Sequence, residues 1–162
     1  VFTSVLSRAV RTAELCVERY ADVHGEAAPP PICARWRLNE RHYGVLQGLN
    51  KRETLEMWPD RAALDAWRLS FAGKPPAMSW DHPQYSRATH RVKRLREAQR
   101  RYAGADQGGG DEPLTESDVP LTESLSDTVE RVRPLWEGEI KPAVLNGKTA
   151  LVVGHVSAQA IL

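Results

Sequence analysis

Residues 36–53 read Trp-Arg-Leu-Asn-Glu-Arg-His-Tyr-Gly-Val-Leu-Gln-Gly-Leu-Asn-Lys-Arg-Glu. They set the carboxylate of Glu40 among the cations Arg37, Arg41 and Lys51 and the imidazole of His42, with Tyr43 in their midst. A carboxylate held among cations suits an anion site with one group that can give or take a proton. Burial of one face explains little of this stretch. Leu38, Val45, Leu46 and Leu49 follow neither a helical nor a strand period. Gly44 and Gly48 break the run, and polar, glycine-punctuated connections are where binding groups tend to sit.

Two residues outside the stretch could join it. Arg8 falls in the first turn of a helix that follows a short strand. A cation there opposes the helix dipole unless an anion sits at the helix N-terminus; a solvated surface arginine is the other reading of the same pattern. His155 follows the apolar run Thr149 to Gly154, read as a buried parallel strand. Ligands gather at the carboxyl ends of such strands, although a satisfied structural histidine fits the pattern equally well.

The elements that would position these groups alternate between strand and helix. Strands are expected at 1–4, 32–36 and 149–154, and helices near 5–21, 51–58, 61–71, 87–102 and 123–145. That order implies an α/β fold in three layers, with a mainly parallel sheet flanked by helices. Ser4 or Ser7 would cap the first helix, whose apolar face is Leu6, Ala9, Val10, Ala13, Cys16, Val17 and Tyr20. Cys16 and Cys33 read as buried structural thiols. Asn50 with Glu53 is a cap pair that puts Lys51 at the first helical position. Asp60 starts the next helix, with Ala62, Ala63, Ala66, Trp67 and Phe71 as its apolar side. In the last helix Leu125, Val129, Val132, Trp136 and Ile140 form the face, and Pro134 and Pro142 should bend or interrupt it. A flexible insertion is expected near 103–119. It includes the first copy of a small repeat, Pro113-Leu114-Thr115-Glu116-Ser117, ahead of Pro120-Leu121-Thr122-Glu123-Ser124.

The chain has 162 residues, 22 basic and 21 acidic, which gives no overall preference for nucleic acid or membrane. The two cysteines fit a reducing compartment. No apolar run is long enough to span a bilayer and no signal peptide is visible. The chain starts at Val1 and stops at Ile161-Leu162 just after an apolar strand, so both ends are expected to cut through a larger domain.

The run Leu38-Asn39-Glu40-Arg41-His42-Tyr43-Gly44, followed by Leu46-Gln47-Gly48-Leu49-Asn50-Lys51, resembles the signature of the cofactor-dependent phosphoglycerate mutases of the histidine phosphatase superfamily. Thr3 to Thr12 resembles the mutase segment whose arginine holds a phosphate, which favours the functional reading of Arg8. The resemblance implies a histidine phosphatase fold and a single partial domain over 1–162. It implies interconversion of 2- and 3-phosphoglycerate in glycolysis through a phosphohistidine, primed by 2,3-bisphosphoglycerate and without a metal. Glu40 matches the general acid/base, and Arg8 and His155 match groups around the transferring phosphoryl. Tyr43, Lys51 and Arg68 match substrate contacts, with Arg41 and His42 from the same motif. The implied partners are small phosphoglycerates rather than nucleic acid or membrane, with room for a homo-oligomer, and the implied location is the cytoplasm.

The sequence departs from the family at several points. Leu69 stands where a second arginine usually follows Arg68. After His155 the chain reads Val156-Ser157-Ala158 in place of Gly-Asn-Ser. No Arg-His-Gly motif, which carries the nucleophile, occurs in these residues. One alternative is a catalytically degenerate relative that binds a partner or a phosphorylated acid. Another is an interaction protein that uses the basic residues of 87–101, although a solvated helix fits them better. The 162-residue chain alone is expected to show no mutase turnover, and burst labelling by a phosphoryl donor would contradict that.

Overall fold

The computed structural model describes residues 1–25, 29–79, 81–82, 96–97, 100–102, 115, 118–155 and 157. Three short strands, β1 (Phe2–Thr3), β2 (Cys33–Ala34) and β3 (Val152–Val153), form a parallel sheet in the order β2-β1-β3. Phe2 is in register with Cys33 and Val152, and Thr3 with Ala34 and Val153. Parallel neighbours need crossovers. Helix α1 (Ser7–His24) and helices α2 (Lys51–Met57), α3 (Arg61–Leu69), α4 (Leu125–Leu135) and α5 (Lys141–Leu145) supply them. A wide π turn, Trp136–Ile140, joins α4 to α5. The α/β class and the flanked parallel sheet are as expected. The described strands pair as neighbours, with β1 in the middle.

The core sits between the sheet and α4. Leu38, Val132, Leu135 and Ile140 are buried together, with Phe2, Trp136, Ala150 and Val152 packed against them. Phe2 and Val152 share one face through their register. Burying a side chain such as Val132 or Ile140 contributes about 1.5–3 kcal/mol. A second cluster joins Val5 and Ala34 to Leu6, Trp36, Tyr102 and Val119. Helix α1 contacts β1 and β3 through its first half, where Ala9, Val10 and Ala13 are buried.

The caps follow local chemistry. Asn50 and Glu53 close a reciprocal capping box on α2, with Lys51 first in the helix. Asp60 accepts from the Ala63 N–H to start α3. Ser124 and Asp127 close a second box on α4, so the second copy of the repeat ends as a helix cap. Pro134 cannot donate within α4, and the ladder widens into the π turn directly after it; Pro142 falls where α5 begins.

Several expectations need correction. Neither Ser4 nor Ser7 caps α1: Leu6 occupies that position with no side-chain cap, and Ser7 is the first helical residue. Helix α1 outruns the two-residue strands beneath it, so Cys16 and Tyr20 on its expected apolar face are exposed. Cys33 is only half-buried, so neither thiol is a core residue. In α3 the buried residue is Leu64, one position away from the assigned stripe, and Phe71 lies beyond the helix, exposed. Ala62 and Ala66 are exposed as well, because α3 lies at the surface and buries a single large side chain. The basic helix expected over 87–102 falls mostly outside the described residues. So do the 104–111 linker, His90, most of Pro113–Ser117, and most of the residues after His155. No described helix is long and apolar enough to cross a membrane.

Residues 36–49 are neither helix nor strand. Two 3-10 turns, Trp36–Leu38 and Gly44–Leu46, bracket an extended passage that carries Glu40 to Tyr43. Gly44 has φ +55°, and a Cβ there would lie 2.2 Å from the Pro76 carbonyl oxygen. The same carbonyl accepts from the Val45 N–H, so the close approach is part of how the loop is tied down. A Gly44→Ala change should cost about 2 kcal/mol or more, from the left-handed backbone plus the clash. Gly147 has φ +79° with nothing near its Cβ position, and Gly147→Ala should cost only the backbone part, about 1 kcal/mol. Urea midpoints check this; equal losses at the two sites would contradict it.

Candidate active site

Four pieces of chain converge at the carboxyl ends of β1 and β3. Ser4 leaves β1, Arg8 stands in the first turn of α1, His155 follows β3, and the 36–47 loop closes over them. A cavity of about 200 Å³ opens here, with Arg8, Trp36, Glu40, Arg41, His42 and Tyr43 in its wall. Val119, Pro120, Glu123 and Arg131 complete the far side.

Glu40 is partly buried, and its Oε1 accepts from the Arg41 backbone N–H at 2.8 Å. Arg41 is buried, lies 4.8 Å over the Tyr43 ring, and donates through Nη2 to the Arg68 carbonyl. Its Nε has no partner among the described residues. A buried guanidinium N–H without an acceptor costs about 1–3 kcal/mol, so Arg41 carries a donor that the described residues leave unspent. Thr3 Oγ1 is the other buried polar side-chain atom without a partner among the described residues. His42 accepts the Gly44 N–H at its Nδ1.

His155 is buried and does not line the cavity directly. It is joined to it through Arg8, whose Nη2 lies 3.3 Å from Nδ1, while Nε2 lies 2.9 Å from Ser4 Oγ. Burial holds the His155 pKa below its ordinary 6.5. Arg8 and Arg131 push the same way, and Glu40 opposes them. The ring is therefore neutral at physiological pH.

Arg8, Glu40, Arg41, His42 and Tyr43 thus share one cavity, and His155 borders it. Arg68 lies farther out, with Leu69, along a second cavity of about 450 Å³ that also contains Arg41 and Tyr43. Leu69 is 79% exposed and offers no charge there. Lys51 is exposed at the start of α2 and lines neither cavity. Among the described residues no group of three or more His, Cys, Asp or Glu could hold a metal ion.

The structure adds residues that the sequence did not single out. Glu123 and Arg131 form a buried ion pair, with Arg131 Nε donating to Glu123 Oε1 at 2.7 Å and Nη2 to Oε2 at 3.0 Å. Arg131 also donates to the carbonyls of Trp36, Arg37 and Asn39. Glu123 Oε2 accepts the His42 N–H at 2.9 Å, and the Glu123 N–H donates to the His42 carbonyl. Asn39 Oδ1 accepts the Val5 N–H, which ties the same loop to the end of β1. Helical spacing carried a signal for Arg131, since it falls on the buried side of α4 with Thr128, Val132 and Leu135.

The sequence pattern of the histidine phosphatase superfamily (branch 1) matches residues 1–106. The chain is similar to a 2,3-bisphosphoglycerate-dependent phosphoglycerate mutase of Corynebacterium diphtheriae, at 41% identity over 155 residues. That match covers 96% of this chain and 52% of the relative, so the chain spans about half the length of the curated relative it matches.

The Glu123–Arg131 pair makes a quantitative demand. Removing one partner strands a buried charge, so Arg131→Met should cost about 3–5 kcal/mol. Adding Glu123→Gln to that variant should cost much less than the sum of the two single changes. Additive losses in urea unfolding would contradict a coupled pair.

Proposed function

This chain belongs to the histidine phosphatase superfamily, and we propose that within it the chain is part of a phosphoglycerate mutase that interconverts 2- and 3-phosphoglycerate. The observation that carries the reading is one cavity in which a carboxylate, Glu40, shares a wall with Arg8 and Arg41. Phosphoryl transfer needs cations around the phosphoryl oxygens and a group that exchanges a proton with the hydroxyl that gives or receives it. Arg8 and Arg41 are the cations, and Glu40 is the acid/base. His42 and Tyr43 line the cavity as contacts for the rest of the acid. Arg68 and Lys51 stand farther out, as contacts only for a ligand that extends beyond it.

The wall formed by Arg8 and Arg41 suits a bisphosphorylated acid. 2,3-Bisphosphoglycerate, when bound, supplies the phosphoryl group that primes the nucleophile. Arg8 and Arg41 would hold it. Neither described ring in the site is a free nucleophile: His155 is engaged at both nitrogens and His42 at Nδ1. The phosphohistidine of this reading is therefore assigned to neither. We read residues 1–162 as one partial domain of a cytoplasmic, glycolytic isomerase whose partners are phosphoglycerates.

Titration calorimetry of the chain with 3-phosphoglycerate tests the reading. Saturable binding is expected. Arg8→Ala should weaken it about 10- to 100-fold, as loss of charge-assisted hydrogen bonds implies. Absence of binding, together with strongly salt-dependent capture of RNA or an acidic protein, would contradict it.

A further inference from the structure

His155 is held at both ring nitrogens, and the chemistry of its partners determines where its proton sits. The Arg8 guanidinium can only donate. With Nη2 3.3 Å from Nδ1, the ring nitrogen must be the acceptor and carries no hydrogen. In a neutral imidazole the one proton then lies on Nε2 and is donated to Ser4 Oγ, 2.9 Å away. Ser4 is built for this. It is fully buried at the point where the chain leaves β1, and its Oγ also accepts the Leu6 N–H at 3.3 Å. That local turn fixes the hydroxyl in place. The serine that looked like a helix cap spends its side chain on the histidine instead.

We propose that Ser4 is a positioning residue that, together with Arg8, locks His155 as the neutral Nε2–H tautomer and sets the plane of its ring beside the anion site. Neither residue alone achieves this. Arg8 excludes a proton from Nδ1 but leaves the ring free to rotate about its own axis. Ser4 anchors Nε2 but, as a hydroxyl, could serve either tautomer. The charged groups facing the ring are Arg8 from α1, Arg131 from α4 and Glu40 from the loop. The two arginines disfavour a second proton, and Glu40 is too weakly coupled to reverse them. The purpose of the lock rests on the phosphoryl-transfer reading of the site; its geometry does not.

The test is a long-range proton–nitrogen correlation spectrum of the chain carrying isotope-labelled histidine, recorded above pH 6.5, the ordinary histidine value. His155 is assigned by its loss in His155→Gln. Its Nδ1 should be fully unprotonated and its Nε2 protonated, while the exposed His24 shows a tautomer mixture. Arg8→Met should let the Nδ1–H form appear. Ser4→Ala should do the same, with Ser4→Thr restoring the lock. Should Ser4→Ala fail to fold, the wild-type and Arg8→Met spectra decide the matter. A wild-type ring that is charged or carries an Nδ1–H form overturns the proposal. So does a tautomer ratio unmoved in the folded variants. Failure of 3-phosphoglycerate to bind would leave these spectra unchanged and count against the mutase reading alone.

Discussion

A buried ion pair between Glu123 and Arg131 is the constraint on which the site depends. Two charges taken out of water are costly, and the cost is offset only when every donor and acceptor is satisfied. Here they are. Arg131 reaches the carboxylate twice and three backbone carbonyls of the 36–39 turn, while Glu123 exchanges a pair of hydrogen bonds with the backbone of His42. The segment between those anchors has no ladder of its own. Its path is dictated by groups on α4 and just before it. Segment 75–78 braces it from outside, with the Pro76 carbonyl on Val45 and Met78 bonded to Leu121.

The arginines divide by how many of their donors are spent. Arg131 is saturated, and Arg35 is held by Glu139 through both Nε and Nη2 at 2.8–3.0 Å. Both are structural: each fastens the end of β2 or the loop after it to the helical layer. Arg41 is as buried as they are and lines the cavity, yet its Nε has no partner among the described residues. Arg8 gives one bond to a neutral imidazole. Those two have capacity left for an anion. Burial of a charge alone thus does not separate the arginines that hold the fold from those with donors to spare.

Much of this was legible before the structure, for identifiable reasons. Helix starts were readable where a side chain could cap its own helix, as at Asn50 and Asp60, because that chemistry is local. The loop chemistry of Glu40 to Tyr43 was readable because its residue types made no sense as packing. Ser4 misled because a serine before a helix has the same local signature whether it caps or reaches across the sheet; its partner lies 151 residues away. Arg131 was hidden because a lone arginine on a helix is ordinarily solvated, and only its register with Val132 and Leu135 placed it inward. The exposed Cys16 and Tyr20 of α1 have a different cause. Helical periodicity gives a stripe but not its length, and strands of two residues support only a short one.

The central claim is that α4 holds the site loop through Glu123 and Arg131. Native-state hydrogen exchange at the His42 amide tests it most directly, since that N–H is donated to Glu123 Oε2. If the account is right, this loop amide opens only with global unfolding, and its opening free energy matches that of the buried amides of α4. Exchange of the His42 amide through a low-energy local opening, as fast as in an ordinary surface loop, would contradict it.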